Sequence, residues 1–370
     1  MSEIITRLSM KQINKDKKKD LLEDNSNPAI LVVRFSSMGD ILLTTPLLRA
    51  LKARWPNSRV SFLTKEEFAP LLYGNPNVDE LVLFPKGSGF SGLLKLARSL
   101  SRRHWDLLAD LHGSLRSRLV RLLVPASLKY VYSKSLFKRI LLIYCRFDLY
   151  GSGPPTLTER YARGLERFGV ELDSGPAELF LGEGEKAVVQ KEISGRWPGE
   201  TPPVLAVAPG AAWSTKRWPA ERFAEAARKL ASRYGLKAII LGSRKDSGPC
   251  GVVRASLGEK NCLDLSGRLS LLESAAAVTS SRLLLTNDTG LMHVATAVGT
   301  PVVAVFGPTT IHLGYFPYRA VSRVVETKLY CRPCTHNGRR RCPLGHFRCM
   351  RDIPVERVVE AAEGLLTLNR

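Results

Sequence analysis

Toward the carboxyl-terminal third, the apolar run Leu283 to Thr286 breaks into Asn287-Asp288-Thr289-Gly290 and continues as Leu-Met-His293. A strand that ends in Asp-Thr-Gly and enters a helix suits a diphosphate. The first amides of the helix lack backbone acceptors and carry partial positive charge, and Gly290 permits close approach. Asp288 and Thr289 can cap the first turn, and His293 lies about one turn inside. A plain capping sequence would read the same way. A second junction strengthens the ligand reading: Ile30 to Phe35 is a short β-rich run, followed by Ser36-Ser37-Met38-Gly39-Asp40 and an apolar repeat at helical spacing from Ile41 to Trp55. This is a Rossmann-type start without the glycine-rich fingerprint, and its loop brings a carboxylate, Asp40, to the end of the first strand. Asp40 is either a reactive group there or a simple helix cap.

Two more loops in the second half follow expected strands. Pro209-Gly210-Ala211-Ala212-Trp213-Ser214-Thr215-Lys216-Arg217-Trp218-Pro219 offers Lys216 as a point charge for phosphate oxygens, or as part of an exposed charged helix start. Gly242-Ser243-Arg244-Lys245-Asp246 offers Asp246 to a ribose hydroxyl. Together with the Thr289 and Gly290 amides, these loops would surround one nucleotide.

The elements that must hold these residues alternate between strand and helix. Strands read at 60–64, 81–84, 107–111 and 130–132, with helices at 114–123 and 158–168. A stretch rich in Gly, Pro and charge follows, and the pattern restarts with strands at 204–208, 237–241, 262–265, 283–286 and 301–306, a helix at 219–234 and a last helix at 355–366. Such alternation implies βαβ units and parallel sheets, so the expected class is α/β with two Rossmann-like domains facing a cleft. The expected boundaries are a tail over 1–27, a first domain over 28–185, a linker over 186–203, a second domain over 204–350 and a terminal helix over 351–370. At 370 residues two domains are ordinary, and the 44% apolar content is that of a soluble chain.

The net charge of +21 is unevenly placed. Between 95 and 146 stand twelve cations (95, 98, 102, 103, 116, 118, 121, 129, 134, 138, 139 and 146) against Asp106 and Asp110, a local excess of ten. Such a field favours a polyanion, here an anionic membrane surface or a phosphorylated glycolipid, unless it is only a solubilising face. Nucleic acid is not expected, because no helix-turn-helix, zinc-finger or aromatic RNA-binding signature accompanies the charge. No apolar run approaches the roughly 20 residues of a membrane span, and the polar first 27 residues do not resemble a signal peptide. A cytoplasmic protein is expected. Four of seven cysteines fall together, Cys331, Cys334, Cys342 and Cys349, with His336 and His346 between them. They could wrap a structural zinc, but the wider second pair favours reduced thiols packing a loop, with less than half an equivalent of bound metal.

With these residues in view, the chain resembles glycosyltransferase family 9, the heptosyltransferases that extend the inner core of lipopolysaccharide, from about residue 29 to the end. The resemblance is carried by Arg34-Phe-Ser-Ser-Met-Gly-Asp40-Ile with Thr-Pro-Leu-Leu-Arg-Ala after it, by Lys216-Arg-Trp-Pro219, by Asn287-Asp288-Thr289-Gly290-Leu-Met-His293, and by the cysteine-bearing tail. It implies a GT-B fold and an inverting transfer from ADP-heptose to a Kdo or heptose hydroxyl on the lipid A-linked core, at the cytoplasmic face of the inner membrane. It further implies Asp40 as general base and Lys216 as the phosphate ligand. The implied donor contacts are Gly39, Ser243, Asp246, Asp288, Thr289, Gly290 and His293. Arg102, Arg103, Arg116 and Arg118 would meet the anionic acceptor. Some members have paired threonines where this chain has Ala211-Ala212, so those hydroxyl contacts are missing. No cofactor or metal is required if a lysine and a helix amino terminus stabilise the departing ADP. Transfer from another nucleotide sugar, a nucleotide-sugar epimerase, and a non-catalytic polyanion-binding protein remain as alternatives.

Overall fold

A computed structural model of the protein describes residues 25–151 and 153–368, so residues 1–24 of the expected tail lie outside the described residues. Two compact units are formed, one by residues up to Lys134 together with Thr158–Ser174, the other by Ser135–Leu157 and Gly175 onward.

In the first unit, β1 (Ala29–Val33), β2 (Arg59–Lys65), β3 (Glu80–Phe84), β4 (Leu107–Asp110) and β5 (Leu128–Val131) form one parallel sheet in the order β3-β2-β1-β4-β5. The β1 side chains Ile30 to Val33 are fully buried, as expected of a central parallel strand covered on both faces, where each such side chain contributes about 1.5–3 kcal/mol. Chain order reverses between β1 and β4. That is the switch point at which open parallel sheets take their ligands, beyond the carboxyl ends of the strands. The helix expected from Ile41 to Trp55 is two helices, Met38–Leu42 and Thr45–Arg54. The Thr44 hydroxyl donates to the Ile41 carbonyl at 2.6 Å, and Pro46 has no N–H with which to continue the ladder.

The second unit has a six-stranded parallel sheet from β6 (Val204–Ala208), β7 (Lys237–Ile240), β8 (Cys262–Asp264), β9 (Ser281–Asn287), β10 (Val302–Phe306) and β11 (Ser322–Glu326), ordered β11-β10-β9-β6-β7-β8. Its switch point lies between β6 and β9. The stretch read as a linker holds the helix Glu183–Arg196, whose Val189 and Ile193, with Trp197 after them, are buried in the core of this unit. An i, i+4, i+8 apolar stripe was hidden by the charged residues around it. The terminal helix Val355–Leu366 forms where expected and buries Val358, Val359, Ala362, Leu365 and Leu366. Residues 135–157 were expected in the first domain but belong to this unit. Leu142 and Ile143 are buried, and the Arg146 guanidinium donates to the Pro333 carbonyl at 2.5 Å.

Candidate functional site

At the switch point of the first unit, Asp40 stands third in the helix Met38–Leu42. Its Oδ2 accepts from the Ser37 amide at 3.0 Å and the Ser37 hydroxyl at 2.7 Å, and pairs with the Arg34 guanidinium at 2.8 Å. Asp40 therefore does cap its helix, but with one oxygen. The other, Oδ1, is buried without a hydrogen-bond partner among the described residues. Burial alone would raise the Asp40 pKa, but Arg34 and the Ser37 bonds outweigh it, so the carboxyl is held below its usual 3.8 and stays ionised. A buried carboxylate oxygen with no partner is costly, and functional sites are where such groups are kept.

The loop after β4 faces the same switch point. Buried Asp110 accepts from the amides of His112 and Gly113 at 3.0 and 2.8 Å, and this turn projects the imidazole. Arg34 ties the two loops together by donating to the Leu111 carbonyl at 2.6 Å. His112 packs edge-on against Phe35, and desolvation, assisted by the charges of Arg34 and Lys134, lowers its pKa to about 4. The imidazole is neutral at pH 7, and its Nδ1 has no partner among the described residues. Neither Arg34 nor His112 drew attention by type alone, although Asp110-Leu-His112-Gly at a strand end carried the signal.

In the second unit the loops after β6 and β9 are knit together by Asn287. Its side-chain carbonyl accepts from the Trp218 amide at 3.0 Å, and its amide group donates to the Pro209 and Gly210 carbonyls at 2.9 and 3.2 Å. Trp218 is buried in the core with its indole N–H on the Ile353 carbonyl, so the chain is anchored just beyond Lys216. Lys216 then reaches Asp288, Nζ to Oδ2 at 2.6 Å, and the Thr309 hydroxyl donates to the same oxygen at 2.7 Å. Asp288 was expected to cap the helix Gly290–Ala297. It pairs with the ammonium instead, the stronger partner, and Thr289 takes the cap position with no side-chain cap bond. The first amides of that helix are thus left to an outside acceptor. Gly290 opens the helix and His293 is its fourth residue, buried.

Asp246 does not stand open toward a nucleotide. Its Oδ2 accepts from the Ser243 amide and hydroxyl at 3.0 and 2.6 Å, and Oδ1 lies 3.8 Å from Arg217. A Cβ at Gly210 would sit 2.3 Å from this carboxylate, so only glycine lets the two loops close. Asp246 thereby fastens the loops after β6 and β7. Gly39, grouped with the donor contacts, lies beside Asp40 in the first unit and is buried.

The four arginines separate. Arg116 and Arg118 lie exposed on the helix Leu115–Leu123, which follows the carboxyl end of β4, and form no ion pair among the described residues. Arg102 and Arg103 lie just before β4, at the amino-terminal edge of the sheet, about 15 Å from the switch point for strands of this length. Arg103 is also paired there with Glu80, at 2.7 and 2.9 Å. Among the cysteines, Cys331 and Cys349 are buried and Cys334 and Cys342 half-buried, with Cys331 Sγ 3.8 Å from His346 Nε2. Burial pushes the Cys349 thiol up to about 12. Among the described residues no group of three or more His, Cys, Asp or Glu is arranged to hold a metal ion.

Two parallel-sheet α/β units, each with its candidate residues at the switch point of its sheet, define a glycosyltransferase of the GT-B fold. The solved structure of a glycosyl transferase family 9 protein from Veillonella parvula superposes with TM-score 0.76 at 29% identity, covering 92% of this chain and 97% of that one. That of the E. coli ADP-heptose lps heptosyltransferase II gives 0.69 at 26%, covering 92% and 99%. The chain belongs to glycosyltransferase family 9 (heptosyltransferase), whose profile matches residues 93–344. Lipopolysaccharide heptosyltransferase 2 of Salmonella typhimurium is 28% identical over 295 residues, 76% of this chain and 83% of the relative. Membership in this family sets aside the epimerase and the non-catalytic binding protein.

Proposed function

We propose that the protein transfers heptose from ADP-heptose to a hydroxyl of the lipopolysaccharide inner core by one inverting displacement. The observation that carries this reading is the division of labour on Asp40, with Oδ2 held by Arg34 and Ser37 and Oδ1 left without a partner. The acceptor oxygen attacks the anomeric carbon, the bond from that carbon to the diphosphate oxygen breaks, and the acceptor proton passes to Asp40 Oδ1. A positioned base of this kind contributes on the order of 10² to 10⁴ in rate. ADP departs toward Lys216 and the uncapped amides at Gly290, whose charge and dipole favour the growing negative charge. Ser243 and Asp246 order the loop assigned to the adenosine side, and His293 lies one turn behind the diphosphate loop. Arg116 and Arg118 would receive acceptor phosphates and carboxylates, and the lipid anchor of such an acceptor would bring the protein to the membrane face. The names of relatives at 28–29% identity over 83% of their length support the donor and the pathway.

The test is Asp40→Asn, which keeps the size of the side chain and removes its basicity. Turnover with ADP-heptose and a core acceptor should fall at least about a hundredfold with ADP affinity nearly unchanged. Near-normal turnover would remove Asp40 from the role. Thermal shifts against ADP-, UDP-, GDP- and CMP-sugars test the donor separately, since a ligand that binds the folded state must raise Tm.

A further inference from the structure

Residues 136–149 of the second unit carry an amphipathic helix turned inside out. The helix Leu136–Ile140 runs on through a wider-wound turn at Leu141–Cys145, and Leu136, Phe137, Ile140 and Tyr144 recur at helical spacing. In a surface helix that stripe faces the core. Here it faces water: Phe137 and Tyr144 are each 70% exposed, Leu136 57% and Ile140 47%, and Phe147 beyond the helix is 60% exposed. The segment is held in this attitude from beneath. Leu142 and Ile143 are buried, Arg146 donates to the Ile143 and Pro333 carbonyls, and Asp148 pairs with His312 at 3.1 Å. Lys138 and Arg139 lie on the same two turns, and with Arg146 they make three cations against one acid, Asp148.

We infer that this segment is a membrane-insertion element, which lays its aromatic and aliphatic face into the headgroup region of a bilayer containing anionic phospholipid. Three features select that occupant. At ten helical residues the segment is half the length of a span, and no helix among the described residues is long and apolar enough to cross a membrane, so it can only lie in the interface. Phenylalanine and tyrosine with flanking Lys and Arg are the side chains that suit the headgroup boundary, rings inward and cations among lipid phosphates. A second copy of the chain would set one cationic patch against another, whereas anionic lipid complements it. The inference rests on the proposed function only in that a lipid-linked acceptor gives the enzyme a reason to sit there. It assigns the apolar anchoring to the second unit, apart from the arginines read as acceptor contacts.

The experiment is sedimentation of the full chain with vesicles of phosphatidylethanolamine and phosphatidylglycerol. The wild type is compared with Phe137→Ser/Tyr144→Ser/Phe147→Ser, whose side chains are exposed and whose loss leaves the core intact. The triple variant should lose at least about tenfold in vesicle partitioning and keep its Tm and its turnover of a water-soluble, deacylated acceptor. Phe137→Trp should retain binding, and its fluorescence should be quenched by brominated lipid. The inference is overturned if the wild type does not bind, if the triple variant binds as well as wild type, or if the substitutions change the oligomeric state instead. Failure of the wild type to transfer heptose to any acceptor, with vesicle binding intact, would overturn the proposed function and leave this element standing.

Discussion

Asp40 and His112 are two buried titratable groups with opposite charge preferences, and Arg34 is what sets both. Its guanidinium holds Asp40 ionised and, as the next contribution after desolvation, disfavours a proton on His112. The consequence for stability has a definite sign. With its pKa lowered from 6.5 to about 4, His112 binds fewer protons folded than unfolded between those values, so stability falls as pH drops through that window, by at most about 1.4 kcal/mol per pH unit. Asp40, lowered from 3.8, adds a contribution that is present above that value and lost only as pH falls through its folded pKa. Urea denaturation at pH 7, 5.5 and 4.5 should therefore show His112→Gln with a shallower loss of stability across this range than wild type. Parallel loss in the two proteins would show that His112 does not titrate in this window.

At the scale of elements, the donor site depends on one side chain joining two loops. Asn287→Ala removes three buried hydrogen bonds and leaves the Trp218 amide and two carbonyls unsatisfied, which should cost about 2–4 kcal/mol. Because the same loop carries Lys216, ADP affinity should fall as well, and calorimetric titration beside a melting curve checks both. A loss of stability with unchanged ADP binding would separate Asn287 from the donor site. The strands that frame this site were legible in the sequence because a buried parallel strand is a short continuous apolar run: β6 forms at 204–208 as read, and β10 begins one residue later than expected. Helices were less legible. Glu183–Arg196 has its stripe of Val189 and Ile193 diluted by charge, and Ser247–Leu257 begins with Gly248 and Pro249, residues that read as loop. The motifs located Asp40, Lys216 and Asp288 but not their partners. That Asp288 turns to Lys216 and Thr309, and that Asp246 closes on Gly210, are outcomes of packing between loops far apart in the chain.

For the whole molecule, net charge alone did not say which cations form a surface. Of the twelve between 95 and 146, nine belong to the first unit and Lys138, Arg139 and Arg146 to the second. Within the first unit the parallel strands separate them further, with Arg102 and Arg103 at the amino edge and Arg116 and Arg118 on the helix that leaves the carboxyl edge near Asp40. If acceptor phosphates and carboxylates are met near the base, Arg116→Glu/Arg118→Glu should raise the acceptor KM about tenfold or more, while Arg102→Glu/Arg103→Glu should change it much less. Salt gives an independent check, because exposed charges are screened over a Debye length of about 10 Å at 0.1 M, whereas the Lys216–Asp288 pair is largely withdrawn from solvent. Raising the salt should therefore weaken acceptor binding more than donor binding in the wild type, and the Arg116→Glu/Arg118→Glu enzyme should lose most of that difference. Equal effects of the two charge reversals on the acceptor KM would mean that a diffuse field, rather than these two arginines, draws in the acceptor.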